Sequence, residues 1–197
     1  MNIASHNTFS YLPVRQWWLK PFAFMARCQR VDFGSQWLEG ARLFDIRLRF
    51  DKKGTPIICH GLMKYSHDEK FLDNIFRYLD YGWFRIILET KRHKQFQEFK
   101  FREYCRYLTR TYKKLVFFGG NNRSDWSCEH PIHRFKAPLE DLDNKYASTT
   151  TLFPDGPRWL RFIDDLFPLL YAKRHNHKNR ETGTTHKWLM LDFVDIQ

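Results

Sequence analysis

A chain of 197 residues is long enough for one domain with a sizeable core, and 43% apolar with 18% aromatic residues excludes a disordered polypeptide. The net charge of +11 favours an anionic partner: nucleic acid, a membrane surface or a phosphate-bearing substrate. No stretch reaches the roughly 18 apolar residues of a membrane-spanning helix, and no zinc-finger spacing, RNP-like strand or helix-turn-helix is present, so nucleic acid is not the expected partner.

The segment "NIAS" reads as a short opening strand. Residues 30–40, "RVDFGSQWLEG", read as a helix stopped by Gly40. "ARLFDIRLRF", residues 41–50, alternates. It places Leu43, Asp45, Arg47 and Arg49 on a charged face and Phe44, Ile46, Leu48 and Phe50 on a greasy one. "DKKG" turns the chain at Gly54, and "TPIICHG" returns as a strand ending in His60-Gly61. Helical spacing of Phe71, Ile75, Tyr78 and Leu79 follows, with Asp68 and Glu69 near the start and Gly82 at the end. "FRIILET" is a buried strand, a charged helix spans roughly 94–112, and "KLVFFGG" is another buried strand. Residues 121–156 read as irregular. Residues 157–173 read as a helix that Pro168 kinks or ends, and "KWLMLDFVD" closes the chain as an apolar strand.

Strands that alternate with helices predict a parallel sheet covered by helices, either a closed (β/α) barrel or an open doubly wound sheet. The four cysteines, Cys28, Cys59, Cys105 and Cys128, are scattered without a CxxC pair and read as free, mostly buried thiols. "MNIASHNTF" has no basic segment or long apolar run, so a cytoplasmic location is expected unless a leader is missing.

The polar residues fall toward the strand C-termini: His6, Asp45, Arg47, His60, Glu89 and Asp192. In a (β/α) barrel that end carries the site. Histidine gives and takes protons near neutral pH, and two at strand ends form a candidate base and acid. An Arg on a buried face needs an anion, which a substrate phosphate or Asp45 would provide. Asp192 stands in an apolar strand and needs a partner, for which a histidine is suited.

"ASHNTF", "GARLFDIRLR" with "IICHG", and the late "LMLDFVD" resemble the phosphatidylinositol-specific phospholipase C X-domain, in its bacterial, metal-independent form. The resemblance covers residues 3–61 well, and extends to "IILET" and the last strand. It implies one α/β domain over residues 1–197, a distorted or minimal TIM (β/α) barrel, or a piece of a longer chain. It implies that His6 is the general base on an inositol hydroxyl and His60 the general acid on the leaving diacylglycerol oxygen. Asp192 would hold His6, and Arg47, accompanied by Asp45, would stabilise charge on phosphorus. Asn7, Glu89 and Lys91 would bind substrate. No metal or other cofactor is implied, although Asn7 and Glu89 keep two calcium-type positions. Asn7 stands where bacterial members often carry Asp, which puts the acid step in question.

The expected partner is a phosphoinositide or another phosphodiester lipid. The Trp pair in "RQWWLKPFAF" suits peripheral membrane contact, or packing inside the domain. The basic runs "KRHK" and "AKRHNHKNR" read as solvated faces that suit anionic lipid. Two rival readings are a metal-dependent glycerophosphodiester phosphodiesterase and a non-catalytic basic barrel that binds lipid or nucleic acid. "SHN" in place of an early His-Arg motif, and Arg47 in place of a carboxylate, count against the first.

Overall fold

A computed structural model of the chain describes residues 2–89, 94–120, 144–147, 167–182 and 188–196. Six strands form a parallel run: β1 (Asn2–Ser5), β2 (Ala41–Phe50), β5 (Trp83–Leu88), β6 (Val116–Gly120), β7 (Asn144–Ala147) and β8 (Trp188–Leu191). Their spatial order is β7-β8-β1-β2-β5-β6. β3 (Pro56–His60) pairs antiparallel with the C-terminal end of β2, and the short β4 (Met63–Lys64) pairs with β3. The architecture is mixed α/β. Among the described residues no pairing joins β6 to β7.

The helices are α1 (Phe33–Leu38), α2 (Phe71–Tyr78), α3 (Lys94–Thr111) and α4 (Pro168–Thr182). A 3-10 segment spans Trp17–Met25. Asp32 caps α1, its side chain accepting from the Ser35 N–H. The high aromatic content forms a layer between sheet and helices. Phe44, Phe84 and Phe117 project from neighbouring strands, with ring centroids 5.6 and 5.7 Å apart, and Phe76 of α2 packs at 4.9 Å on Phe84. Phe33 of α1 covers Phe44 at 4.5 Å. Each fully buried Phe contributes about 1.5–3 kcal/mol, and these strand positions are fully buried.

Both faces of β2 are buried: Asp45 and Arg47 are buried along with Phe44 and Ile46, as the reading of Arg47 on a buried face requires. Two expectations need correction. Pro168 does not kink one continuous helix: Phe167 is not helical and Pro168 opens α4, where its missing N–H and fixed φ are harmless. The upstream part of that expected helix lies outside the described residues, as does nearly all of the segment read as irregular, but residues 144–147 within it form β7. Cys28, Cys59 and Cys105 are free and buried as expected, and Cys128 lies outside the described residues. Among the described residues no helix is long and apolar enough to cross a membrane.

Candidate active site

β1 delivers His6 just past its last residue. The His6 backbone N–H donates to Leu191 O at 3.0 Å, and its carbonyl accepts from Gln29 Nε2 at 3.1 Å. The chain then turns through Asn7 at φ 44°, a left-handed conformation that Asn tolerates better than most residues. Asp45 secures the turn from β2, accepting at its carboxylate from the Asn7 N–H (3.2 Å) and at its carbonyl from the Thr8 N–H (2.9 Å).

Two polar groups grip the two nitrogens of the His6 ring. Nδ1 lies 2.5 Å from Asp192 Oδ1, and Nε2 lies 2.6 Å from an Arg47 Nη2. A guanidinium only donates, so Nε2 holds the lone pair and the ring proton sits on Nδ1, facing Asp192. This is the tautomer of a base whose free electron pair points into the site. The Asp192 turn is held in its own right. Asn176 of α4 donates to the carbonyls of Asp192 (2.8 Å) and Phe193 (3.1 Å), and Gln29 Nε2 donates to Leu191 O at 3.0 Å. Phe193 takes φ 49°, an uncommon conformation for a bulky side chain.

Among the described residues, Arg47 lies between three acceptors. Its Nε donates to Asp45 Oδ2 at 3.2 Å, it reaches His6 as above, and Nη1 is 3.8 Å from Glu89 Oε2. Asp45 receives a second guanidinium on its other oxygen, from Arg85 at 2.7 Å. Burial alone would raise the Asp45 pKa; Arg85 and Arg47 outweigh it and hold the carboxyl well below the usual range. Asp45 is therefore a permanent anion that aims Arg47.

His60 ends β3 and is the more open of the two imidazoles, with 21% of its side chain exposed against 8% for His6. The ring centroids are 6.1 Å apart and nearly perpendicular. Burial lowers the His60 pKa, opposed by Glu89 and reinforced by Arg47. Asn7 Nδ2 lies between the rings, 3.2 Å from His6 Nε2 and 2.9 Å from His60 Nδ1. Glu89 follows β5, accepts from the Gly61 N–H at 2.7 Å, and has Oε2 at 3.8 Å from His60 Nδ1. Gly61 turns at φ 57° immediately after His60, where a side chain would strain the backbone.

Seven of the eight candidate residues, His6, Asn7, Asp45, Arg47, His60, Glu89 and Asp192, therefore converge. Lys91 lies outside the described residues. Sequence reasoning missed Arg85, Gln29 and Asn176. For Arg85 a signal existed, as the single charged residue in "WFRIIL", and its register puts it directly opposite Asp45.

The donor set does not suit a metal. Among the described residues His6, Cys28 and Asp192 offer ligand atoms within 4.8 Å of one another, but His6 and Asp192 are hydrogen-bonded together, and burial and Asp192 push the Cys28 thiol pKa well up. Calcium wants several free oxygens. The carboxylates of Glu89 and Asp45 already face the Arg47 charge, and Asn7 turns its NH2 toward the rings.

No protein-family model matches the chain, and no curated protein matches it. Solved structures do. The phosphatidylinositol-specific phospholipase C from Listeria monocytogenes aligns with a TM-score of 0.60 and 17% identity, over 98% of this chain and 87% of its own. A mutant of the phosphatidylinositol-specific phospholipase C from Staphylococcus aureus gives 0.60 and 17%, over 98% and 84%. A further Staphylococcus aureus structure, concerned with modulation of that enzyme's membrane binding, gives 0.55 and 16%, over 98% and 85%. The chain shares its fold with these bacterial phospholipases.

Proposed function

We propose that this protein is a metal-independent phosphodiesterase of the phosphatidylinositol-specific phospholipase C type, built on a distorted barrel. The observation that carries the reading is the His6 ring, fixed by Asp192 with its lone pair beside a guanidinium and 6.1 Å from a second imidazole. His6 Nε2 takes the proton of the inositol hydroxyl next to the phosphodiester. That oxygen forms a bond to phosphorus while the bond to the diacylglycerol oxygen breaks, and His60 supplies the proton that the leaving oxygen needs. The products are a cyclic inositol phosphate and diacylglycerol. Because nucleophile and phosphorus belong to one molecule, proximity lowers the barrier. Arg47 leaves its resting contact with His6 for the phosphate, which frees the base and stabilises charge on the phosphorane oxygens.

Peripheral membrane contact belongs to the same reading. The 3-10 segment buries none of its residues, and Trp17, Trp18, Phe22 and Phe24 are 75, 57, 51 and 49% exposed. Gln16, just before it, donates to Leu62 O and accepts from Lys64 N–H, each at 2.8 Å. These bonds fix the aromatic surface beside the turn that follows His60. Large exposed aromatics next to Lys20 suit a bilayer interface.

The test is cleavage of phosphatidylinositol vesicles with and without a chelator. Turnover is expected to survive the chelator, and His6→Ala and His60→Ala each to lose about 10²–10⁴-fold in rate. Chelator-sensitive turnover would favour a metal-dependent phosphodiesterase, and binding without turnover a lipid-binding role.

A further inference from the structure

We propose that Glu89 is the positioning residue for the acid form of His60, a task that the Asn7 amide nitrogen facing the ring cannot perform; this rests on the reading of His60 as the proton donor. The amide nitrogen of Asn7 carries two hydrogens and no available lone pair. It faces His6 Nε2 at 3.2 Å and His60 Nδ1 at 2.9 Å, so one amide group holds both rings as acceptors. In that arrangement His60 is neutral, with its proton on Nε2. A neutral imidazole is a poor acid, and the ring must first gain a proton on Nδ1. That N–H would then point at the Asn7 NH2, donor against donor.

Among the described residues, Glu89 is the carboxylate within reach of the same atom, with Oε2 at 3.8 Å. Its position is set relative to His60, because Oε1 accepts from the N–H of the next residue, Gly61. Arg49 ties the same two segments together, donating to the carbonyls of Glu89 and Gly61. A small rotation of the imidazole moves Nδ1 from the amide to the carboxylate. Among the described residues, the other charged and titratable groups around His60 are Arg47 and Arg49 on β2, Asp45, the partner of Arg47, and His6 beyond β1. Arg47 Nη1 is 3.8 Å from Glu89 Oε2 and competes with His60 for it. A phosphate that draws Arg47 away releases Glu89 to His60, so substrate binding itself loads the acid.

The experiment is an NMR titration of isotope-labelled histidine in the wild type, Glu89→Gln and Asn7→Asp. Gln keeps an acceptor for the Gly61 N–H and removes only the charge. The His60 pKa is expected to fall by about one unit in Glu89→Gln, the least that an ionised neighbour within ~4–6 Å produces, and to rise in Asn7→Asp, which puts a carboxylate in place of the amide. Adding Asn7→Asp to Glu89→Gln is expected to restore the His60 pKa and the turnover lost in the single variant. An unchanged or raised His60 pKa in Glu89→Gln overturns the proposal. Should that variant not fold, Glu89→Asp, which draws the carboxylate back by one methylene, must give a smaller fall in the same direction, and an unchanged or raised His60 pKa overturns the proposal. Because the readout is a titration, the pair stands or falls apart from the reaction: a pKa that moves as expected with no phosphodiester cleaved by any variant removes the proposed function and leaves the pairing.

Discussion

The Asn7 amide treats the two histidines alike, and what stands behind each ring makes them differ. One nitrogen within hydrogen-bond reach of both rings makes each present a lone pair to it, and the rest follows from what stands behind each ring. His6 has Asp192 at 2.5 Å and is held ready to accept. His60 has no carboxylate that close and sits where burial favours its neutral form. An acid of this kind is protonated only below its lowered pKa. The kcat/KM should therefore fall as pH rises through a value beneath the ordinary histidine pKa of 6.5, and a profile of kcat/KM against pH on a soluble substrate, which reports the free enzyme, reads this limb directly. A descending limb above 6.5 would contradict the assignment. The side chains that carry this argument were readable in the sequence because they end strands. Gln29 and Asn176 were not. Gln29 holds a carbonyl 162 positions away, a relation that leaves no local pattern, and a polar residue in a polar helix, as Asn176 is, reads as solvent-facing.

At the scale of elements, β2 and β5 are joined by more than their ladder. Asp45 and Arg85 stand opposite each other in register, fully buried and 2.7 Å apart. Replacing Arg85 with Met preserves much of the volume but leaves Asp45 with a single guanidinium. The expected cost is about 3–5 kcal/mol, the loss seen when one partner of a buried ion pair is removed, measurable by chemical denaturation. Adding Asp45→Asn should recover part of that stability while leaving Arg47 without its aim, so turnover should not return. Alternation along β2 located the strand well, because period two is a property of the backbone. It put Asp45 and Arg47 on one face, but not the second guanidinium on Asp45, because Arg85 comes from another strand whose register the sequence does not reveal. Pro168 shows the same limit for helices: proline marks a boundary, and the sequence does not tell that a helix starts from it.

For the whole molecule, the +11 charge and the exposed aromatics of the 3-10 segment act together. Basic residues draw the protein to anionic lipid over a Debye length, and tryptophans then settle at the headgroup level. The double variant Trp17→Ala with Trp18→Ala is expected to bind phosphatidylinositol-containing vesicles roughly tenfold or more weakly, from about 1.4 kcal/mol or more of lost burial. It should hydrolyse a short-chain soluble substrate at the wild-type rate, and an equal loss on both substrates would assign the Trp pair to the packing of the domain instead.

The His60 strand is a graft. β1, which delivers the base, is paired on both sides by β2 and β8, whereas β3 adheres to the far end of β2 and, among the described residues, is backed by the two residues of β4. Changes in this appendage leave the long parallel run in place. The half of the chemistry that expels the leaving group can thus diverge, by drift or by directed evolution toward other alcohols, while the half that generates the nucleophile is inherited intact.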